Sequence, residues 1–561
     1  MVEKILVREY LSSLKEDGEL DYIFIFLLES MGFKIITTPK HSKGQSQYGK
    51  DVVAIGEVEG IKYCWNFELK GFSDKDVDST TFNKNDGIRM SLLEIKDVAY
   101  ENKSIPKFDQ LLIKVVLVHN GIVKENIKPQ FNGFIKSNFA IDEFEDWDIY
   151  RLTDLFYEHL FCEYLLSNDN NSFSFKRLLM FLDVPDYDFE DLKVLTSNIV
   201  QEYERKPNDR QHRKLFSTLN LLMMILWNYS SQKNNLNPAK YCIDYLVLNI
   251  WSFLLTKKIE KSKKLRMSFY SLLETQMRCY KEYLDKTWEV ASFNNGLFMS
   301  QGAGFEGIGY PLRSFDYIDY LIYFYKLTNA FVHDENMVIS LERNQKESLK
   351  LLITNNRDAL CKPILDNHFI PIFHLTDFFL NSVDRTQDDL NFIGKYIIDC
   401  IEWICLRKKV KGIFPYHGYN LEHLITLEAT GQKDTNYPDN SSLLIPFLLE
   451  LLAVFSMDKV FDDYGEFFKK NISLQTAIPN FEEYPDFENR FFKEQLHNEY
   501  NIEFIVNLPK TMNEFKEKLI AKKGEKLLFK TETLGYGFLL ILARSFYKNE
   551  PFPDDWRRWL K

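Results

Sequence analysis

Asp51 follows Gly49-Lys50 at the head of the apolar stretch DVVAIG, and Glu68 and Lys70 close the next stretch, IKYCWNFELK, seventeen and nineteen positions further on. Read as a strand, the second stretch alternates: Tyr63, Trp65, Phe67 and Leu69 fall on one face, and Lys62, Cys64, Asn66, Glu68 and Lys70 on the other. Glu68 and Lys70 then project side by side. If DVVAIG pairs with this strand through the turn EVEG, Asp51 comes within reach of Glu68, and two carboxylates converge with one ammonium. Hard carboxylate oxygens of this kind hold one or two Mg2+ ions, or Mn2+, and such an ion polarises a phosphodiester and lowers the pKa of a bound water. The lysine can orient or help deprotonate that water and stabilise charge developing on the phosphate. The backbone carbonyl of Leu69 offers one more oxygen ligand. The alternative for Glu68 and Lys70 is an ordinary ion pair on an exposed strand, which has no need of an aligned Asp51.

A hairpin alone cannot hold these groups in place, and the surrounding sequence supplies more elements. From about residue 10 to 165, helix and strand patterns alternate. LDYIFIFLLESMGF (20–33) reads as a helix closed by Gly32, FKIITT (33–38) as a strand, and residues 39–49 as a polar loop. After the hairpin come a helix near 84–100, the β-branched strand LLIKVVLV (111–118), a helix near 124–137, a short strand near 139–149 and the helix IYRLTDLFYEHLFCEYLL (149–166). This predicts an α/β domain with a mixed sheet flanked by helices. In the loop KHSKGQSQYGK (40–50), Lys43, Gln47 and Lys50 are candidates for contacting a nucleic-acid backbone or groove. A plain surface loop is the other reading.

The order of these elements resembles the PD-(D/E)xK nuclease superfamily, and over roughly residues 10–165 it looks like the Mrr-like restriction endonuclease branch. That family's helix acid, about eleven positions before a closing glycine, is matched by Asp21 and Gly32. Its Gly-x-Asp is matched by Gly49-Lys50-Asp51 and its Glu/Gln-x-Lys by Glu68-Leu69-Lys70. LIKVVLVHNG (112–121) is similar to the later strand ending in a polar turn, and WDIYRLTDLF (147–156) to the closing helix. The resemblance implies a restriction-endonuclease-like fold in which Asp51, Glu68 and Lys70 are catalytic and Asp51, Glu68, the Leu69 carbonyl and Asp21 hold Mg2+ or Mn2+. Asp21 stands where Glu is commoner, and Lys50 where an apolar residue is usual. As a residue at a helix start, Asp21 is also favoured by the dipole alone.

The remaining sequence sets limits. With 561 residues and 45% hydrophobic content, several domains are expected. SNDNNSFS (167–174) reads as a linker. Beyond it, long periodic segments predict a large, mostly α-helical region, giving domains at 1–166, 175–295 and 296–561. The seven cysteines are scattered with no CxxC pair, and the first twenty residues lack a signal-peptide pattern, so a reducing cytoplasm is expected. The apolar runs 215–229 and 243–255 are shorter than the roughly 20 residues of a membrane span. A net charge of −11 argues against a constitutive, tight DNA binder, though metal ions and a local basic cleft can serve a nuclease within an acidic chain. GAGFEG (302–307) lies in helical territory and reads as an interhelical turn, His417 and His423 as core or loop residues, and KKIEKSKKLR (257–266) as a solvated helix face.

The expectation is therefore a Mg2+-dependent DNA endonuclease, an effector of restriction or anti-phage defence whose helical region senses, recruits or oligomerises. DNA, a phage-derived activator and further copies of the chain are the expected partners, and a membrane is not. RNA or branched DNA as substrate, and a non-catalytic nucleic-acid-binding scaffold, are the alternatives.

Overall fold

The computed structural model describes all residues except 1, 39–48, 72–73, 99, 101, 103–104, 107, 162–168, 206, 300–304, 419, 434–440, 481–482, 485, 497–498, 505–507, 525–527 and 561. The chain forms two compact units, residues 1–246 with 261–276, and residues 247–260 with 277–561.

The first unit is built on a five-stranded mixed sheet: β1 (Lys34–Thr37), β2 (Val52–Val58), β3 (Ile61–Lys70), β4 (Leu112–His119) and β5 (Phe144–Trp147), side by side in that order. The β1/β2 and β2/β3 pairs are antiparallel, and β3/β4 and β4/β5 are parallel. Glu59 and Gly60 join β2 to β3, both at positive φ (52° and 83°). Such a two-residue turn matches the twist of the strands it connects and fixes their register, Val58 opposite Ile61 and Val52 opposite Phe67.

The alternation read in β3 is realised. Phe67 and Trp65 pack edge-on against Phe24 and Phe33, with ring centroids 5.2 Å apart in both pairs, and Trp147 of β5 joins them. Phe24 belongs to helix α2 (Asp21–Ser30), which follows α1 (Val2–Ser13) and a π-helical turn, Glu16–Leu20. The opposite face of the sheet carries α3 (Ser79–Asn83), α4 (Ile88–Asp97) and α5 (Lys128–Asn138). There Val115 and Leu117 of β4 form one core with Phe82, Ile88, Leu92 and Phe131. These helices lie in the β3-to-β4 and β4-to-β5 crossovers, as parallel pairing requires. Helix α6 (Ile149–Phe156) closes the layer and pairs with α1 through Lys4 and Asp154, 2.6 Å apart.

Residues 169–174, read as part of a linker, belong instead to a helix, α7 (Asp169–Phe181). Asn171 is buried and its side-chain oxygen accepts from Asn198 Nδ2 at 2.7 Å, so polar residues that look loop-like in sequence are held by a tertiary hydrogen bond. Helix α7 packs with α8 (Glu190–Arg205) and α9 (Asp209–Gln232) in the same unit.

The second unit is mostly helical, with long segments such as Glu306–Ala330, Glu335–Asn355 and Gln387–Lys411. It also holds a small sheet that the periodicity did not reveal, made of Ser441–Ser442, Ser473–Pro479 and Tyr500–Phe504. Residues 302–304 of GAGFEG lie outside the described residues, and a helix begins at Glu306. Among the described residues no helix is long and apolar enough to cross a membrane.

Candidate active site

Register and turn geometry bring the two strand ends together. The Asp51 N–H donates to the Phe67 carbonyl at 2.9 Å just before β2 begins, and Asp51 Oδ2 accepts from the Leu69 N–H at 2.7 Å. Gly49, at φ +69°, makes this approach possible: a Cβ there would sit 2.2 Å from the backbone oxygen of Ser91 in α4. One residue pair along from Phe67, Glu68 points towards α4 and is 2% exposed. Lys70 Nζ lies 2.9 Å from Glu68 Oε1.

A fourth group completes the cluster, and the sequence reading had not selected it. Glu16, the first residue of the π-helical turn, places Oε1 3.2 Å from Lys70 Nζ and accepts from the Gly71 N–H through Oε2 at 3.3 Å. Gly71 is required there, since a Cβ would come within 2.8 Å of the Glu16 nitrogen. Asp21, the helix acid implied by the resemblance, occupies the first position of α2. The strongest charges acting on Glu68, Lys70 and Glu16 are one another's and that of Asp51, and Asp21 is not among them. The acid placed against the lysine is thus Glu16, five residues earlier. Asn66, one pleat back on the Glu68 face, is 2% exposed, and its Oδ1 has no hydrogen-bond partner among the described residues. Its alternation with Glu68 was the only signal for it in the sequence.

The cluster is rich in negative charge for its burial. Burial first and the Asp51 charge second push the Glu68 carboxyl up to about 8, against the opposing pull of Lys70 and a hydrogen bond from Ser91. Glu16 is likewise raised, mainly by burial, with Asp51 adding to the shift and Lys70 opposing it. For Lys70 burial disfavours the charge, but Glu68, Glu16 and Asp51 together outweigh it and raise its pKa above the usual lysine value. Three carboxylates thus share one ammonium, and the deficit of positive charge is what a divalent cation would relieve. Among the described residues no group of three His, Cys, Asp or Glu side chains is spaced to enclose a metal by itself. That is compatible with Mg2+, which keeps several waters and uses one or two carboxylates together with substrate phosphate. Asp51, Glu68 and the Leu69 carbonyl are the groups suited to hold it.

These shifts carry a pH dependence. Both carboxyls are raised in the folded state, so the folded unit keeps protons that the unfolded chain has released. Their stabilising contribution is full below the unfolded value of 4.5 and is lost as pH rises towards about 8. In metal-free buffer, the unfolding free energy of the N-terminal unit should fall from pH 5 to pH 8 by on the order of a few kcal/mol. Glu68→Gln should remove most of that slope in urea titrations at the two pH values. An unchanged slope would contradict the assignment.

Lys50 corrects the loop reading. It is 6% exposed, and its Nζ donates to the Val98 carbonyl at 2.6 Å, so it ties the entry of β2 to the end of α4 and is not presented to a phosphate backbone. Lys50→Met should therefore leave any affinity of the chain for a DNA duplex and its salt dependence unchanged within about twofold, whereas loss of a phosphate contact lowers the salt slope by about one. Filter binding at several salt concentrations measures both. Lys43 and Gln47 lie outside the described residues.

Compared with known proteins, the chain matches no protein-family model, no curated protein and no solved structure.

Proposed function

We propose that the N-terminal unit is a metal-dependent endonuclease that hydrolyses DNA phosphodiester bonds with Asp51, Glu68 and Lys70, on a restriction-endonuclease-like sheet. The observation that carries this reading is the meeting of Asp51, Glu68, Lys70 and Glu16 where the antiparallel hairpin joins the parallel strands. A structural ion pair needs neither a third and fourth charge nor a glycine on each side to admit them. An inward-facing cluster this acidic is held at some expense to folding, and such expense is typical of functional sites.

Each residue has a task in this scheme. Asp51 is held by the Leu69 N–H with its carboxylate turned to the Glu68 strand, which fixes the spacing of the two acids. Lys70, fully charged between Glu68 and Glu16, orients the attacking water and stabilises negative charge building on the phosphate oxygens. Glu16 keeps the ammonium in place from the far side and anchors the chain at Gly71. Mg2+ or Mn2+, when bound, supplies Lewis acidity and lowers the pKa of water. Cleavage inside the host's own DNA would be harmful, and the large helical region is the natural place for control by recruitment, an activating phage product or self-association. Anti-phage defence in the cytoplasm is the biological setting this reading favours.

The test is cleavage of supercoiled plasmid and phage DNA by the full chain with Mg2+ or Mn2+, with EDTA and the Glu68→Gln variant as controls and with single-stranded RNA and branched DNA as further substrates. Metal-dependent nicking by the wild type alone is the expected result. Cleavage confined to RNA or branched DNA would change the substrate class. A well-folded wild type that cleaves none of them, with or without phage lysate, would leave a binding scaffold as the better reading.

A further inference from the structure

In the second unit a cavity of about 380 Å3 opens between the helix Glu306–Ala330, the starts of the helices Phe369–Leu380 and Leu421–Thr430, and the segment after Tyr547. That volume lies within the range of small-molecule sites, ~300–1,000 Å3. Its chemistry is two-sided. Leu312, Leu365, Pro371, Tyr416 and Leu424 give it an apolar body. At the other side stand Asn367, His368, Asn420 and Lys548.

His368 is the singular member. It is 5% exposed, its ring lies 4.0 Å from that of Phe315, and its Nδ1 has no hydrogen-bond partner among the described residues. A buried polar atom left without a partner carries a penalty of about 1–3 kcal/mol, which a ligand reaching it would remove. Burial and the neighbouring Lys548 charge hold the imidazole well below its ordinary pKa, so it offers a neutral nitrogen. Lys548 sits in the left-handed region at φ +59° and forms no ion pair with any described residue. The buried acid on this wall, Asp319, is engaged by His374 Nδ1 at Oδ1 and by Ser545 Oγ at Oδ2, and the Lys548 charge also acts on it. Asp316, the other acid of the lining, is solvent-exposed. The helix Leu421–Thr430 begins at the cavity wall, where Asn420 caps it by accepting from the His423 N–H, and the helix Phe369–Leu380 begins there too. Two helix starts and the Lys548 ammonium lie on this side over an apolar floor, with the Asp319 carboxylate beside them.

We propose that the cavity binds a small organic acid, a carboxylate or phosphate monoester carried on an apolar ring, with Lys548 pairing the charge and His368 making a hydrogen bond. The ring fills the Tyr416 and Leu424 side, and the acidic group faces Lys548. This site is independent of the cluster around Lys70 and stands whether or not the N-terminal unit cleaves DNA.

Isothermal titration calorimetry on the full chain tests it, with phenyl phosphate, benzoate, inorganic phosphate and benzyl alcohol as probes. At least one of the two ring acids binds, and which one does separates a phosphate from a carboxylate ligand. Benzyl alcohol and inorganic phosphate each bind at least tenfold more weakly. Lys548→Asn, which tolerates the left-handed backbone while removing the charge, weakens the ring acid about tenfold or more. His368→Phe, which keeps the ring and removes its nitrogens, weakens it several-fold. Absence of heat from both ring acids in a chain that melts cooperatively, equal binding of benzyl alcohol, or affinity unchanged in both variants would overturn the proposal. The wild-type comparison alone decides the matter if either variant fails to fold.

Discussion

Under the proposed endonuclease function, Lys70→Ala lowers the rate of metal-dependent DNA cleavage by ~10^2–10^4-fold, the span covered by losing a positioned proton-transfer group or a donor to the developing charge. The same change raises a stability question, because it leaves Glu68 and Glu16 facing each other inside the protein without their counter-charge. Removing one partner of a buried pair typically destabilises by about 3–5 kcal/mol. Here the loss is softened, since Glu68 is already held towards its protonated form. Lys70→Ala should therefore be closer to wild type in stability at pH 5.5 than at pH 8, while remaining inactive at both. Plasmid nicking and thermal melts at the two pH values separate the effects. Activity recovered at low pH together with stability would mean that Lys70 only holds the fold.

The largest effect on folding alone is expected at Glu450. It sits at 1% exposure in the apolar helix Leu444–Val454 and receives Arg557 through Nε and Nη2, each at 2.8 Å, and the Trp556 indole N–H, also at 2.8 Å. Arg557, itself 2% exposed, reaches on to Glu503 at 3.1 Å. Glu450→Ala leaves the Arg557 guanidinium with Glu503 alone and the Trp556 indole N–H buried without its acceptor, and should cost about 3 kcal/mol in guanidinium titrations of the helical unit. The double change Glu450→Leu with Arg557→Met should recover part of that loss, because an apolar pair carries no desolvation penalty, while the Trp556 indole N–H still lacks its acceptor. If the single variant loses less than about 1 kcal/mol, water reaches the pair and its burial is not what holds this corner together.

The legible part of the molecule is the part governed by short-range rules. Period-two alternation in residues 61–70 gave the strand and its faces, and the turn EVEG gave the hairpin. The turn Glu59-Gly60 is two residues shorter than the EVEG turn read from the sequence, and the register it sets is what brings Asp51 to the Leu69 N–H. Glu16 was hidden because counting back eleven positions from Gly32 leads to Asp21, and the residues just before it, Glu16–Leu20, form a π-helical turn that a regular helix pattern does not show. Lys50 looked like a loop cation because nothing local reveals that Gly49 turns the chain so that the ammonium meets the end of α4. In the helical region periodicity identified helices but not their neighbours, which depend on contacts far apart in sequence. The start of the helix Asp169–Phe181 was missed for the same reason, its polar residues being held by a hydrogen bond from distant Asn198. The small sheet contains a strand of two residues, too short for any periodicity to show.

The wide turn at Glu16–Leu20 also governs how the gene for this protein can change. Its backbone bonds span five residues, from the Leu20 N–H to the Lys15 carbonyl and from the Asp21 N–H to the Glu16 carbonyl. Deleting one residue there would restore an ordinary helix and swing everything before it by about 100° around the axis, while Phe24 and Leu27 stayed seated in the core. Glu16 would leave Lys70 without any amino acid of the cluster having been replaced. Lineages descending from this sequence should therefore accept exchanges of side chain along the first helices far more readily than insertions or deletions between Lys15 and Asp21.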